Sequence, residues 1–562
     1  MQFARADYYA DKAAEASSAS YTITQHAARG VITDANGVVL ARDTTVYDLY
    51  LRIPAPPGTD LRETVKNIET LTGSKDVETQ LAAFCSAASA GELAVARGAD
   101  ADMLTAFYTA GLVQSGAVRP AARGVRSWMG GTLLPHALGL TGPITAAQWP
   151  AAKARGLAMD AVIGQSGLEA AYDDLLRGQD GRVLINTGFD GAVRRTAQLR
   201  QAVPGAALVL TVDSSLQKTL QDALILQIHT LQTTKAAGAG RECRAGAAVV
   251  VDVKTGGILA AASVPGFDLN ACRADYAVLA ADTAAPLLDR VCQGLYAPGS
   301  AFKPAVAAAA LTAGIDPAAT VNCTGRYGFY SGYQPGCLQY GHGGPVDLRT
   351  ALEYSCNIFF YDVGRRLGVD VFSAMARQLG LATPTGVEIT EAQGRLTWSS
   401  DENYQAGLTL MAAIGQGNTA VTPLQLAAYA ATLANCGQRP ALHFADRAVN
   451  AATGETVWQY APTFTTASGG EGVFGPIRDG MKRMARTTRV LREAPVACAA
   501  KTGSPQLADT LPGGGHYVNS VLIGYAPADD PQIAMAVVLE YGGGGSNAAP
   551  ILRAVLDAVF GG

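Results

Sequence analysis

The sequence predicts a mixed α+β protein whose C-terminal part folds as one mixed antiparallel sheet with helices on both faces. Strand-like runs occur soon after residue 206 and again near the C-terminus, and a long helical stretch from about 300 to 440 separates them. Strands at both ends of a helical middle are typical of a sheet covered on two sides. At 562 residues the chain exceeds one ordinary core, so we expect two domains, 1–205 and 206–562.

The N-terminal part predicts an α+β domain of its own. Apolar positions alternate over residues 21–54 on either side of the turn signal Asp34–Gly37, which predicts a hairpin. Residues 57–120 are rich in alanine and predict a helical insertion. From 121 to 205, turn residues dominate between short helices and strands.

The C-terminal part gives clearer element signals. The run ALVLTVD predicts a buried strand, and SSLQKTLQDALILQIHTLQTT predicts a long amphipathic helix with a serine cap. AGAAVVVDVKTGGILAAAS predicts a hairpin of two apolar strands. Three more strands are predicted in PVACAAKTGS, NSVLIGYAP and QIAMAVVLEY, and the last helix is APILRAVLDAVF.

Charge and hydropathy exclude several classes of function. The net charge of −4 and the lack of a basic stripe give no indication of nucleic-acid binding. No stretch reaches the ~18 consecutive apolar residues of a membrane helix. The polar N-terminus resembles neither a signal peptide nor a transit peptide, so these residues by themselves predict a soluble chain.

Cysteine and histidine usage predicts no metal and no cofactor. The nine cysteines form no CxxC pair, and the six histidines do not cluster with them at metal-ligand spacing. A metal site that uses His342 or Cys337 is the alternative. Cys323 and Cys337 bracket the Gly/Tyr-rich segment CTGRYGFYSGYQPGC, and whether they form a disulfide stays open.

The stretch YAPGSAFKP at residues 296–304 carries the first chemical signal. Pro298-Gly299 predicts a turn, and the alanine-rich run after it predicts a helix that begins close to Ser300. A spacing of three places Ser300 and Lys303 on one face, as an activated nucleophile needs. A helix cap beside a solvated lysine is the simpler alternative.

Three further polar motifs follow in the chain. Ser355-Cys356-Asn357 lies between two helical runs, where its side chains face one cleft only if the motif forms a loop; a helix cap is the alternative. Gly415-Gln416-Gly417 precedes a helix start and has no evident chemistry. Lys501-Thr502-Gly503-Ser504 predicts an edge strand open to an extended peptide, or else an ordinary strand end.

The order SxxK, SxN, KTG is the motif set of β-lactamases and penicillin-binding proteins. Together with ARGVITDANGVVLA, IGQSGLEAAYDDLLRGQDG, GHGGPVDLRTALEYSCN, AAIGQGNTAVTPLQLA and GYAPADDPQIAMAVVLE, it makes the chain resemble a class B penicillin-binding protein of the elongation type over nearly its whole length. The resemblance implies a β-lactamase-like transpeptidase domain on an elongated N-terminal pedestal. Ala35 stands where the family usually has arginine, and Ser504 where it usually has threonine.

The resemblance implies peptidoglycan D,D-transpeptidase activity and a role for each motif residue. Ser300 would attack D-Ala–D-Ala and Lys303 would take its proton, with a pKa lowered by burial and by the second cation, Lys501. Ser355 would relay a proton to the leaving nitrogen, and Asn357 would bind the substrate peptide. The backbone N–H groups of Ser300 and Ser504 would hold the oxyanion, and Lys501 with the hydroxyls of Thr502 and Ser504 would bind the terminal carboxylate. Gly503, on the same predicted edge strand, would let the substrate backbone approach.

The resemblance also implies partners and a location. The substrates are a D-Ala–D-Ala stem peptide and an amine acceptor, β-lactams acylate the same serine, and a glycosyltransferase is the expected partner, with a homodimer left open. A single membrane anchor is expected before QFARADYYADKAA, with the catalytic domain outside the cytoplasm. Two alternatives stay open, namely a β-lactamase or D,D-carboxypeptidase that uses a base such as Glu391, and a β-lactam-binding scaffold or sensor without turnover.

Overall fold

The structure is a computed structural model that describes residues 19–87, 91–159, 161–187, 193–337 and 341–561. The chain divides into two compact units. The first unit comprises residues 1–31, 41–129 and 177–205, and the second comprises 32–40, 130–176 and 206–562. The predicted domain division after residue 205 stays a prediction.

The elements that precede residue 206 are short apart from one long strand. In chain order they are β1 (Ala19–Gln25), β2 (Ile32–Thr33), β3 (Val39–Ile53), α1 (Leu61–Thr72), α2 (Val77–Ala87), β4 (Gly91–Ala99), α3 (Ala101–Thr109), β5 (Val118–Trp128), α4 (Pro135–Leu138), β6 (Thr141–Pro143), α5 (Trp149–Ala154), β7 (Val162–Gly164), α6 (Gly167–Ala171), α7 (Asp173–Leu176), β8 (Gly181–Thr187) and β9 (Val193–Arg200).

The remaining elements alternate between strands and longer helices, with two 3₁₀ turns at Gly299–Phe302 and Gly545–Ala548. They are β10 (Ala207–Leu210), α8 (Ser214–Thr234), β11 (Gly246–Asp252), β12 (Ile258–Val264), α9 (Cys272–Ala281), α10 (Lys303–Thr312), β13 (Val321–Cys323), β14 (Gly344–Val346), α11 (Leu348–Glu353), α12 (Asn357–Leu367), α13 (Val369–Gln378), α14 (Ala406–Ala413), α15 (Pro423–Ala434), β15 (Gln438–Pro440), β16 (Ala445–Val449), β17 (Thr456–Gln459), β18 (Phe464–Thr466), α16 (Glu471–Thr487), α17 (Arg489–Arg492), β19 (Ala499–Gly503), β20 (Gln506–Thr510), β21 (His516–Val518), β22 (Ser520–Ala526), β23 (Ile533–Leu539) and α18 (Ala549–Phe560).

The part of the chain before residue 206 departs from the sequence prediction at two places. A strand, β4, interrupts the helical stretch predicted over 57–120, because its residues pair antiparallel with β3 and this long-range pairing outweighs helix propensity. The turn at Asp34–Gly37 is present, with Asp34 N–H donating to Val38 O. Its preceding strand is only β2, since β1 pairs with β8 instead.

The second unit contains a five-stranded sheet in the order β12-β11-β23-β22-β19, with every neighbouring pair antiparallel. One face is covered by the apolar stripes of α8 and α18. The buried helix α15 contacts β11, β22 and β23. Strand β19, which carries the KTG motif, ends this sheet in the described part of the chain.

Helix α8 occupies the residues predicted for it, but its cap differs. The side chain of Asp213, rather than a serine, accepts the N–H groups of Ser215 and Leu216. The hydroxyl of Ser214 donates instead to Asp34 Oδ2 at 2.7 Å. The aspartate therefore fixes the N-terminus of this helix.

Among the residues that the structure describes, no helix is long and apolar enough to cross a bilayer. The segment QFARADYYADKAA, which the family resemblance places after a membrane anchor, lies outside the described residues.

Candidate active site

The proposed nucleophile lies in a tight turn at the start of a buried helix. Ser300 belongs to the 3₁₀ turn Gly299–Phe302, and α10 follows it directly from Lys303. Gly299 has φ +56°, a left-handed conformation that favours glycine. No side-chain cap bond is made at this helix start, so the alternative of Ser300 as a helix cap does not apply.

Lys303 is directed into the loop that carries the SxN motif. Its side chain is fully buried, and its Nζ donates to Ser355 O at 2.7 Å, Ser355 Oγ at 3.1 Å and Asn357 Oδ1 at 2.7 Å. An ammonium group has three protons, so these three acceptors satisfy its charged form. The neutral amine has a lone pair that can take a proton from a neighbouring hydroxyl.

The SxN motif spans the end of the connection between α11 and α12 and the start of α12. Ser355 lies in the connection and has φ +58°, an uncommon left-handed conformation for a serine, whereas Asn357 is the first residue of α12. Cys356 precedes this helix as its N-cap residue and makes no side-chain cap bond. The predicted loop is therefore present for Ser355, and the start of the helix sets the direction of Asn357.

Strand β19 brings a second buried lysine to the same hydroxyl. Lys501 is fully buried, and its Nζ donates to Ser355 Oγ at 3.1 Å and to Thr502 O at 3.0 Å. Ser355 Oγ thus accepts from both lysines at equal distances. Its own proton is not used by either bond and is available for donation to a substrate.

The end of β19 lies against the nucleophile turn. A Cβ added to Gly503 would come within 2.2 Å of Pro298 O and 3.3 Å of Ser300 N. A Cβ added to Gly299 would lie 3.2 Å from Ser504 N. The backbone nitrogens of Ser300 and Ser504 therefore lie where the turn and the strand approach each other closely.

Two glycine segments whose role was not evident from the sequence hold this arrangement. Gly415, in the GQG motif, accepts a hydrogen bond from Gly299 N at 2.9 Å, and an added Cβ would lie 2.1 Å from Gly299 O. Gly545 N donates to Ser504 Oγ at 2.8 Å. The glycine runs themselves were the available signal, because glycine often marks a close backbone approach.

Burial changes the protonation of both lysines. It lowers the pKa of Lys303 from about 10.5 to about 7, while the nearby thiols of Cys356 and Cys337 act in the opposite direction. The pKa of Lys501 is also lowered, first by burial and then by the charge of Lys303. The repulsion predicted between the two cations therefore lowers the pKa of Lys501. The state in which both lysines are protonated is disfavoured at neutral pH.

Beside the SxN loop, four side chains form a cluster that can hold a metal ion: Cys323, Cys337, His342 and Cys356, called the Cys₃His cluster below. Their ligand atoms all lie within 4.8 Å of one another. His342 Nδ1 lies 3.4 Å from Cys323 Sγ and 3.7 Å from Cys337 Sγ. Tetrahedral zinc with bonds of about 2.3 Å to sulfur separates its ligands by a little under 4 Å, so the cluster fits.

The sequence spacing supported no metal site and left a site with His342 or Cys337 as the alternative, and both residues belong to this cluster. The four residues follow no regular spacing in the chain, and the fold alone brings them together. The two cysteines that bracket the Gly/Tyr-rich segment, Cys323 and Cys337, are free thiols in the structure.

Comparison with known families identifies this arrangement. Residues 246–557 match the family described as the penicillin binding protein transpeptidase domain, which spans more than half of the chain. The chain belongs to the penicillin-binding-protein transpeptidases. A second match over residues 24–210 is to the penicillin-binding protein dimerisation domain. The predicted family, fold class and type of enzyme are therefore confirmed.

Individual relatives agree with the family assignment. The chain is 28% identical over 574 residues to the peptidoglycan D,D-transpeptidase MrdA of Salmonella typhimurium, covering 95% of this chain and 88% of the relative. It is 31% identical over 421 residues to the peptidoglycan D,D-transpeptidase PbpA of Mycolicibacterium smegmatis, covering 70% and 79%. A solved chain described under coordination of polymerization and crosslinking by a peptidoglycan synthase complex superimposes with a TM-score of 0.78 at 29% identity, covering 97% of this chain and 92% of that one.

Proposed function

We propose that this chain cross-links peptidoglycan stem peptides by D,D-transpeptidation through an acyl-enzyme on Ser300. One observation carries the proposal. Two buried lysines from different elements donate to the hydroxyl of Ser355 at 3.1 Å, directly beside the turn that carries Ser300. This is the arrangement that moves a proton from a nucleophile to a leaving nitrogen.

The reaction follows from these contacts. The Ser300 hydroxyl attacks the carbonyl carbon between the two D-alanines, and neutral Lys303 takes its proton. As the C–N bond breaks, the proton passes through Ser355 to the leaving nitrogen, and free D-alanine departs. An amine of a second stem peptide then attacks the ester, which returns the proton and restores Ser300.

Backbone groups supply the oxyanion site. The oxyanion is assigned to the N–H groups of Ser300 and Ser504, which lie where the turn and strand β19 meet, beside the positive N-terminal end of the helix that begins at Lys303. Lys501, with the hydroxyls of Thr502 and Ser504, provides the clamp for the terminal carboxylate. A bound carboxylate favours the charged form of Lys501, which its burial otherwise disfavours.

Asn357 has one hydrogen-bonding group for each of two tasks. Its Oδ1 accepts from Lys303, and its Nδ2 donates weakly to Gly336 O at 3.4 Å. A substrate peptide carbonyl offers Nδ2 a better acceptor. Asn357 therefore positions the general base with its Oδ1 and also binds the donor peptide with its Nδ2.

Glu391 is poorly placed to act as the deacylating base of a β-lactamase. Its carboxylate accepts from Thr385 N at 2.7 Å and from Thr385 Oγ1 at 2.9 Å, and it lies half-buried in that loop. A carboxylate engaged in this way stabilises a loop rather than activating water. The hydrolase alternative therefore has no support from this residue.

The proposed function is tested with a stem pentapeptide that ends in D-Ala–D-Ala, with and without an amine acceptor. We expect D-alanine release that rises with the acceptor, together with a cross-linked product detected by mass spectrometry. Release that is independent of the acceptor, with only shortened peptide as product, would establish a carboxypeptidase. Stable β-lactam binding without any D-alanine release would establish the scaffold alternative.

The acylation rate should depend on pH through Lys303. Because burial lowers its pKa to about 7, the neutral base is scarce at pH 5 and predominates at pH 8. We expect the second-order rate constant for acylation by penicillin to rise about tenfold per pH unit below 7 and to level off near pH 8. Stopped-flow fluorescence at constant ionic strength measures this profile, and a flat rate between pH 5.5 and 8 would contradict it.

Partners and location extend the same proposal. The solved chain named for a synthase complex supports a polymerising glycosyltransferase as the partner, and the match to a dimerisation domain supports testing for a homodimer. The family resemblance supports a single membrane anchor and a catalytic unit outside the cytoplasm. Purification of the protein from solubilised membranes tests both points: we expect a stoichiometric polymerase partner in the membrane extract, and recovery of the protein without a polymerase, or outside the membrane fraction, would contradict them.

The Cys₃His cluster is proposed to hold one structural zinc ion. All four positions of a tetrahedron are filled by protein ligands, so the ion fixes the Gly/Tyr-rich segment to the SxN loop and leaves no open position for chemistry. Chain residues alone perform the proton transfers described above.

Metal removal should lower stability. A ligand at a hundredfold excess over its Kd contributes about 2.7 kcal/mol, which corresponds to roughly 3 °C in Tm for a unit of this size. We expect about one zinc per chain by elemental analysis, and loss of both zinc and this Tm increment in Cys323→Ala. The exposed Cys85 in the first unit gives the matched control, Cys85→Ala, which keeps both. Equal zinc content in the two variants would exclude the cluster as the site.

A further inference from the structure

Two cysteines of the Cys₃His cluster, one of them within the SxN motif, lie close to each other. The Sγ atoms of Cys337 and Cys356 are 4.0 Å apart. Cys356 lies between Ser355 and Asn357, the two residues that accept from Lys303. Cys337 follows Gly336, whose carbonyl oxygen accepts from Asn357 Nδ2. A bond between these sulfurs would therefore act directly on the groups that position the general base.

We propose that Cys337 and Cys356 form a reversible redox pair whose oxidation to a disulfide switches off acylation of Ser300. The proposal rests on the proposed function, because it concerns the same active site. It assigns a modification site to this chain and names thiol oxidation by a disulfide compound as the chemistry.

The different exposure of the two thiols sets the order of steps. Cys337 is partly exposed, whereas Cys356 and Cys323 are buried. The Cys337 thiolate attacks one sulfur of a disulfide oxidant and expels one thiolate, which forms a mixed disulfide. Both sulfurs would be thiolates in the zinc-loaded chain, so the Cys356 sulfur attacks Cys337 Sγ directly and expels the second thiolate. The chain loses two electrons, and the oxidant becomes two thiolates, which take two protons from water.

The partner of Cys337 is Cys356 rather than Cys323 because Cys356 Sγ lies 4.0 Å from Cys337 Sγ, whereas the contacts of Cys323 are made with His342. His342 N–H donates to Cys323 Sγ at 3.3 Å, and the ring nitrogen of His342 lies 3.4 Å from the same atom. Cys356 has only Cys337 as a sulfur contact within hydrogen-bonding distance in the described residues. The Cys323–Cys337 bond left open by the sequence is thus the competing pairing.

Oxidation has two consequences. A disulfide is about 2.05 Å long, so the two sulfurs must approach by about 2 Å, and Ser355 and Asn357 move with Cys356. A displacement of about 1 Å in a catalytic group can cost roughly 10²-fold in rate. The disulfide also removes two of the four ligands of the cluster, so a bound zinc ion is released.

The test uses the full chain, reduced and loaded with zinc, and then treated with oxidised glutathione. Free thiols are alkylated at intervals, and the disulfides are mapped by peptide mass spectrometry. Zinc release is followed with a chromogenic chelator, and acylation is followed with fluorescent penicillin. We expect a Cys337–Cys356 disulfide, zinc release at the same rate, and acylation slowed by roughly 10-fold to 100-fold and restored by dithiothreitol.

Variants separate this effect from general thiol damage. In Cys337→Ser, the ratio of acylation rates before and after oxidation should stay near one, whatever the rate of the reduced variant. Cys85→Ser, which removes the exposed thiol of the first unit, should respond as the wild-type chain does.

Each of the remaining outcomes contradicts either the redox proposal or the proposed function. A disulfide between Cys323 and Cys337, glutathione adducts alone, or a Cys337–Cys356 disulfide with an unchanged acylation rate would overturn the proposal. Failure of the reduced wild-type chain to be acylated at all would instead overturn the proposed function.

Discussion

A Ser300→Ala variant should form no covalent adduct with a fluorescent penicillin, whereas the wild-type chain forms one that survives denaturing electrophoresis for hours. Ser300 lies in the turn against which Gly415 and Gly503 pack, and the proposed function makes its hydroxyl the nucleophile that a β-lactam acylates. Without this oxygen, no acyl bond can form. Denaturing gels and intact mass over several hours measure the difference.

The matched control is Ser468→Ala, which changes an exposed serine of the same unit and should label as the wild-type chain does. Equal melting temperatures for the two alanine variants exclude unfolding as the cause. An adduct of equal yield on Ser300→Ala would assign the nucleophile to another residue. An adduct on the wild-type chain that clears within seconds would favour the β-lactamase alternative.

A Lys303→Met variant should be acylated about 10³-fold more slowly than the wild-type chain, within the range of 10²–10⁴ that a general base contributes. Methionine fits the length and full burial of the site but cannot accept a proton. It also leaves Asn357 Oδ1 without the donor Lys303 and removes one of the two lysine donors to Ser355 Oγ. The second-order rate constant with penicillin is the measurement.

Lys218→Met, on an exposed face of α8, is the control and should keep the wild-type rate. The pH profile of Lys303→Met gives a second readout, because a variant without this base should lose the rise through pH 7. A rate within tenfold of wild type, with the rise intact, would show that another group accepts the proton of Ser300.

Local patterns allowed the catalytic motifs to be predicted from the sequence. The turn residues before Ser300 and the helix propensity after it placed Lys303 at a helix start. An apolar run before Lys501 placed that lysine in a strand, and β19 bears this out. Such features depend on neighbours within a few residues, and for that reason a single sequence reveals them.

Contacts between distant segments could not be read from the sequence. The strand β4 has an alanine-rich sequence that favours a helix, and only its pairing with β3 makes it extended. The Cys₃His cluster is assembled from three separate segments. Gly415 carries no chemistry of its own, and its importance comes from the carbonyl of Gly299 that lies against it.

The glycine contacts around Ser300 limit how this protein can evolve resistance to β-lactams. Side chains at Gly415, Gly503 or Gly545 would collide with backbone atoms at 2.1 to 2.5 Å, so mutations there damage the catalytic turn before they can discriminate drug from substrate. Resistance mutations are therefore expected at positions farther from Ser300, where a larger or smaller side chain does not move the nucleophile. The Gly/Tyr-rich segment at 324–337, which borders Asn357 through Gly336, is the place where we expect selection to act.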